Sequence, residues 1–342
     1  MKRVVSISLG SSRRNKKVTA RLFDTDFEIE RIGTDGDMAK YRQLVADYDG
    51  KVDAFGVGGC DIYLYAGDKR YTFREPKALW VDAKITPYVD GSGLKNTLER
   101  EAVITLQDHG IVDFTTKAVL MIGAVDRFGM AEALSERAKS IVFGDLMFGL
   151  GIPIPIRSLA AVKRLARALL PIIVQLPFKW IYPTGEKQNH NTPKYTPFFA
   201  EADVIAGDFL LISRFMPEDM RGKIVLTNTT TEADVVELKR RGVHQLITTT
   251  PVIDGRSFGT NVMEAALVSL LEKSPEQIAY EAEVRSQGKK PGEVVADTLL
   301  GAPIAPVVAP DYLDQLHSLG WKPQVQELNP AATDPAVSRI PG

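Results

Sequence analysis

The stretch Asp90-Gly91-Ser92-Gly93-Leu94-Lys95-Asn96-Thr97 is the densest polar cluster in the first half of the chain. It follows a short apolar run over 85–89 and leads into a helix expected over 98–109. Ligands of α/β sheets sit at the carboxyl ends of strands. A strand tip, two glycines and a helix start would bring Asp90, Ser92, Lys95, Asn96 and Thr97 together there. A lysine so placed can stabilise an alkoxide or take part in proton transfer, with Asp61 or Asp90 setting its charge. Asp61 closes another expected strand, over 52–57, in the run Gly58-Gly59-Cys60-Asp61. His190, in the long polar loop 180–197, is a further acid–base candidate and would act from a lid over the substrate. The plainer alternative keeps Ser92 and Asn96 as helix caps, Lys95 as a solvated cation and His190 as an uninvolved loop residue.

A second constellation runs from Lys117 to Asp145, KAVLMIGAVDRFGMAEALSERAKSIVFGD. The run 118–122 has the length and bulk of a buried parallel strand. It stops at Gly123, and 130–137 has helix-forming composition. A second apolar run, 140–143, ends in Gly144-Asp145. Strand, glycine turn, helix, strand and acid, with the acid about twenty residues past the first glycine, is the pattern of a dinucleotide-binding unit. In that reading the turn Gly123, Ala124, Val125, Asp126, Arg127, Phe128 and Gly129 aims backbone N–H groups at a pyrophosphate. Gly129 lets the helix pack close, Arg127 contacts the pyrophosphate, and Asp145 accepts from the ribose hydroxyls. An acid at that place favours NAD over NADP. The glycines do not match the fingerprint fully, because Val125 and Phe128 occupy two of its positions. The alternative is an ordinary βαβ unit without a dinucleotide.

The elements that must position these groups alternate between short apolar strands and amphipathic helices, so the class is α/β. Strands are expected over 2–9, 17–23 and 27–32, with a charged turn at Gly10-Ser11-Ser12-Arg13 that can hold an anion or be a simple hairpin tip. A helix over 35–47 carries Met38, Tyr41, Leu44 and Val45 on one face. A hairpin is expected from 63–66 and 71–73. In the second half, strands are expected over 172–176, 202–206, 223–226 and 244–248. Helices are expected over 158–170, 232–241, 262–272, 274–286 and 291–300. Thr229 lies in the Thr- and Asn-rich tip Thr227-Asn228-Thr229-Thr230-Thr231, which fits a nicotinamide and ribose cleft or plain helix capping.

With 342 residues the chain is long enough for two domains. Its 42 basic and 43 acidic residues give no footprint for nucleic acid. The single cysteine, Cys60, excludes an internal disulfide and fits a reducing cytoplasm. Four scattered histidines offer no zinc spacing, so no metal is expected. The start MKRVVSISLG is too short and polar for a signal peptide. The basic helix over 158–170 is either a membrane-surface helix or, as is commoner, the solvated face of a packed one; no membrane partner is expected.

The phrases VDGSGLKNTLER, IGAVDRFGMAEAL and TPVIDGRSFGTN resemble bacterial chains of the shikimate/quinate dehydrogenase group. The resemblance implies an N-terminal α/β substrate domain (1–112) and a Rossmann-like dinucleotide-binding domain (113–272), before C-terminal helices and a proline-rich tail (273–342). It implies NAD-dependent oxidation of a small hydroxy acid or cyclic polyol such as quinate, in the cytoplasm, with the small-molecule substrate and a second copy of the chain as the expected partners. Lys95 would match the group's lysine, and Asp61 or Asp90 its aspartate. The group's glycine-rich turn is replaced here by Gly123-Ala124-Val125-Asp126. Two other expectations stand beside it: a nucleotide-binding sensor or regulatory protein without redox chemistry, and a transferase or lyase holding an anionic metabolite with Ser11, Ser12, Arg13 and Lys95.

Overall fold

The computed structural model describes residues 1–22, 24–67, 69–177, 191–250, 252–253, 256–257, 259–270, 302–303, 316–317 and 320–330. Among these the chain builds two mainly parallel sheets, each with helices on both faces. The α/β class expected from the alternation of elements is the class found.

The first sheet has the order β2-β3-β1-β4-β7. Its strands are β1 (Lys2–Ser8), β2 (Lys16–Leu22), β3 (Thr25–Gly33), β4 (Ala54–Gly58) and β7 (Tyr88–Val89). β1 runs parallel to both β3 and β4, and β2 is the antiparallel edge. Alternate residues of each strand point to opposite faces. Val5, Ile7, Phe55 and Val57 therefore meet Tyr41 and Val45 of α1 (Met38–Tyr48). Val4, Phe27, Ile29 and Ala54 meet Val262, Ala265 and Ala266 of a helix far along the chain, Thr260–Leu270. The first half is thus covered by a helix that the sequence places within the expected second domain. A hairpin, β5 (Tyr63–Ala66) with β6 (Lys69–Thr72), and the short helix α2 (Arg74–Ala78) lead to β7.

The second sheet has β8 (Ala118–Met121), β9 (Ser140–Phe143), β10 (Val204–Ala206), β11 (Ile224–Thr227) and β12 (Gln245–Thr248) in the order β12-β11-β10-β8-β9, all parallel. An antiparallel strand, Gln324–Glu327, closes the β12 edge. Strand order reverses between β8 and β10, and a crevice at that point is where such sheets hold ligands. Val119, Met121, Val204 and Leu226 pack on α4 (Phe128–Arg137) and α5 (Leu159–Ile173). Leu120, Ile205 and Val225 pack on α6 (Thr196–Glu201), α7 (Phe209–Phe215) and α8 (Glu232–Arg240). Burial on both faces explains why these strands read as unbroken apolar runs.

α3 (Ser92–Asp108) joins the halves. Leu94 and Leu98 pack on Met263 and Leu267 of the Thr260–Leu270 helix, while Val103 and Leu106 join the core of the second sheet. Gly91 turns into it with φ +90°, and a Cβ there would lie 2.8 Å from the Asn261 nitrogen. The helix begins at Ser92, earlier than the expected 98, because Asp90 accepts from the Ser92 N–H and hydroxyl and fixes its first turn. The strand expected over 172–176 is instead the last two residues of α5 and the turn that follows: Val162, Ala166, Leu170 and the C-cap Val174 recur every four residues on the buried face. The helices expected over 274–286 and 291–300 lie outside the described residues.

Gly129 does allow a close approach, but to a helix rather than a strand. A Cβ at this position would sit 2.0 Å from the Asn96 carbonyl oxygen of α3. Gly129→Ala must push α3 and α4 apart, and should lower the free energy of unfolding by about 3 kcal/mol. Urea denaturation measures it; a loss below about 0.5 kcal/mol would show that the contact can relax freely.

Candidate functional site

The tips of both sheets contribute acids to one cluster. Asp61 follows β4 in the first sheet, Asp126 follows β8 and Asp208 follows β10 in the second. Lys95, one turn into α3, reaches between them: its ammonium lies 2.9 Å from Asp61 and 2.9 Å from Asp126. Arg127, fully buried, pairs with Glu99 of α3 and lies 2.7 Å from Asp208. Its Nε is 3.6 Å from the second oxygen of Asp126. Glu99 stands one helical turn beyond Lys95, so α3 alone delivers a cation and an anion to the same face. Asp208 also caps α7 through the Leu210 N–H at 2.8 Å, and the Asn228 amide lies 3.5 Å from it.

Burial and charge compete within this cluster. Burial pushes the Asp61 carboxyl up to about 6, with Asp126 and Asp90 adding to the rise and Lys95 opposing it. Burial likewise lifts Glu99 to about 7 in spite of the facing Arg127. At Asp126 burial acts in the same sense, but Lys95 and Arg127 outweigh it and hold the carboxyl below its usual range. Burial works against the charged forms of Lys95 and Arg127, and the surrounding carboxylates reverse it, so both cations are held more firmly than usual.

Of the four residues expected to be catalytic, the structure joins Lys95 and Asp61 directly. Asp90 is occupied differently: it accepts from the Ile62 and Tyr63 N–H groups and from Ser92, and so fastens the segment after β4 to the start of α3. His190 lies outside the described residues. In the expected cofactor turn the geometry departs from the sequence reading. The Asp145 carboxylate does not face outward to a ribose; it accepts from the Val125 N–H at 3.0 Å, inside the β8–α4 turn. Burial lifts it to about 6, and its second oxygen is buried without a hydrogen-bond partner among the described residues. Arg127 is turned inward to Glu99 and Asp208, away from any pyrophosphate. Ala124 and Phe128 are core residues, and a Cβ on Gly123 would meet only Leu211, at 3.9 Å. Thr229 is half-buried just past β11. Among the described residues no group of His, Cys, Asp and Glu could hold a metal ion.

Sequence reasoning missed Glu99 and Asp208. Both left a trace: Glu99 lies four residues after Lys95, and Asp208 ends an apolar run with the same Gly-Asp pair found at Gly144-Asp145.

A family model described as a domain of unknown function, DUF8754, matches residues 93–328. The chain belongs to that family. A second model, DUF8753, also a domain of unknown function, matches residues 3–90, so the two models meet where β7 gives way to α3. No curated protein matches. Solved structures that match include a galactofuranose binding protein, 10% identical, TM-score 0.32, covering 94% of this chain and 100% of that one. An ABC transporter solute binding protein from Bacillus halodurans with bound myo-inositol is 13% identical, TM-score 0.32, covering 82% of this chain and 98% of that one. A periplasmic solute binding protein from Actinobacillus succinogenes with bound D-allose is 10% identical, TM-score 0.33, covering 92% and 100%. These matches correct several expectations. Two of the three are solute binding proteins of ABC transporters, one of them periplasmic, and none is a shikimate/quinate dehydrogenase; the expected dehydrogenase resemblance, the NAD-dependent oxidoreductase, the enzyme and the cytoplasmic location are not carried further. At such TM-scores they assign this chain neither a ligand nor a compartment.

The raised carboxyls make stability depend on pH. Asp61, Glu99 and Asp145 keep their protons in the folded state up to about 6, 7 and 6, above the ordinary values of 3.8, 4.5 and 3.8. Their contribution is complete below the unfolded values and is lost as pH rises through the folded ones. The urea midpoint should therefore fall between pH 5 and about pH 7, and Glu99→Gln should flatten the upper part of that fall. A midpoint that climbs across this window would contradict the assignment.

Proposed function

We propose that the chain is a binding protein for a small, uncharged, hydroxyl-rich molecule, held where the tips of the two sheets meet. The observation that carries this reading is the Lys95 bridge between Asp61 of one sheet and Asp126 of the other. The second sheet contributes its point of strand reversal to the cluster, since Asp126 follows β8 and Asp208 follows β10.

The chemistry of the cluster selects the ligand. Carboxylates held in place by buried cations are ready acceptors for hydroxyl groups, and such charge-assisted hydrogen bonds are the stronger kind. The side chains of Asp61, Asp126 and Asp208 are 15%, 23% and 22% exposed, enough to reach a ligand at the edge of the network. Lys95 has three donors, and Asp61 and Asp126 take two. Four acids, Asp61, Glu99, Asp126 and Asp208, surround two cations, so a phosphate or carboxylate ligand would meet net repulsion. A polyol or sugar exchanges water for carboxylate partners without adding charge.

Thermal melting against neutral pentoses, hexoses and inositols tests the reading, with NAD and sugar phosphates as the anionic set. A ligand that binds only the folded state raises the midpoint. At least one neutral compound should do so, and Asp126→Asn should weaken its apparent affinity by about ten- to a hundredfold, in keeping with the roughly 1.5–3 kcal/mol of a hydrogen bond to a charged group. Stabilisation by the anionic set alone, or by neither set, would overturn the proposal.

A further inference from the structure

The loop between β9 and α5 departs from the rest of the surface. Leu150, Ile152 and Ile154 are 49%, 40% and 54% exposed within one short stretch, Leu150-Gly151-Ile152-Pro153-Ile154-Pro155. Scattered exposed aliphatics are ordinary, but a run of alternate ones on a single loop is a patch. The backbone of this loop asks nothing of water on its donor side. Leu150 donates to Leu146 and Met147, Gly151 to Met147 at 3.1 Å, Ile152 to Leu146 at 2.9 Å, Ile154 to Ile152 at 2.7 Å and Ile156 to Phe143 at 3.1 Å. Pro153 and Pro155 have no N–H to satisfy. Every amide donor from Leu150 to Ile156 is thus bonded within the chain or absent. A loop with free donors would lose their hydrogen bonds to water on entering an apolar phase; this one has no free N–H to lose.

The chain that follows the loop carries charge of one sign. From Leu146 to Pro177 the sequence has no Asp or Glu, and it carries Arg157, Lys163, Arg164 and Arg167. Lys163 is turned back to Glu132 at 2.8 Å and over the Phe128 ring. Arg157 follows the loop directly, and Arg157 and Arg164 are exposed. α5 buries Val162, Ala166, Leu170 and Val174 and leaves Ile172, 63% exposed, on its outer side. No helix among the described residues is long and apolar enough to cross a membrane, so any contact with lipid would be with its surface.

We infer that the Leu150–Pro155 loop docks on an anionic lipid surface. Leu150, Ile152 and Ile154 enter the boundary between headgroups and acyl chains, and Arg157 and Arg164 meet the lipid phosphates. Aliphatic insertion and electrostatic attraction together are what hold such peripheral contacts. The inference is independent of the ligand proposed for the Lys95 cluster.

Flotation of the full chain with vesicles tests it. Vesicles of phosphatidylcholine with 30% phosphatidylglycerol (roughly, enough to give a negative surface) are compared with phosphatidylcholine alone. Wild type should float with the anionic vesicles and leave them as salt is raised. Both I152S/I154S and R157E/R164E should reduce the bound fraction about tenfold or more. These positions are exposed, so the melting midpoints should stay unchanged and confirm that the variants fold. Ile154→Trp should give a blue-shifted emission on the anionic vesicles. Absence of wild-type flotation, or flotation that survives both double variants, would overturn the inference. So would light scattering that shows a dimer lost in I152S/I154S with no vesicle binding, since the patch would then cover a second copy.

Discussion

Two buried cations hold the ends of the two sheets together. Lys95 and Arg127 sit among four carboxylates drawn from α3, from the tips of β4, β8 and β10, and from both halves of the chain. Removing any one partner would leave a charge buried without its counterpart, which is far costlier than the pair is favourable. The tight seat of α4 on α3 at Gly129, the early start of α3 at Ser92 and the inward turn of Asp145 all place their residues so that this network can close. The rest of the fold reads as its support: two sheets buried on both faces, joined by α3, with the Thr260–Leu270 helix packed on the first sheet and on α3.

That network also gives the β8–α4 turn, which has the outline of a dinucleotide site, a structural role of its own. A pyrophosphate would need free N–H groups and an outward cation. Here Val125 gives its N–H to Asp145, and Arg127 is committed to Glu99 and Asp208. The spacing of glycine, helix, strand and acid is satisfied by a βαβ unit whose acid braces its own turn. A spacing motif reports the path of the backbone, and it is silent on which way the side chains point.

Much of the fold was legible in the sequence. Residues 140–143 and 63–66 form strands over the expected spans, and the apolar runs expected at 118–122 and 202–206 hold parallel strands over 118–121 and 204–206. Local pattern sufficed there because burial on both faces writes itself as an unbroken apolar run. It failed where long-range packing decides. Nothing near Thr260 states that its helix returns to cover β1 and β4, and nothing near Pro171 states that α5 continues through it. Lys95 and Asp61 were legible as strand-tip and helix-start residues, and they meet. Glu99 and Asp208 were passed over because each reads locally as an ordinary helix acid and an ordinary cap, and only the buried arginine between them gives them a common role.

Native-state hydrogen exchange on wild type and Lys95→Met tests the central claim most directly. The amides after β4 (59–62), after β8 (123–127) and after β10 (207–208) belong to different elements and even to different sheets. If one charge network joins them, loss of the Lys95 ammonium should speed exchange at all three together, while the cores of β1 and β11 keep their protection. Faster exchange confined to α3, with the three tips unchanged, would contradict the account.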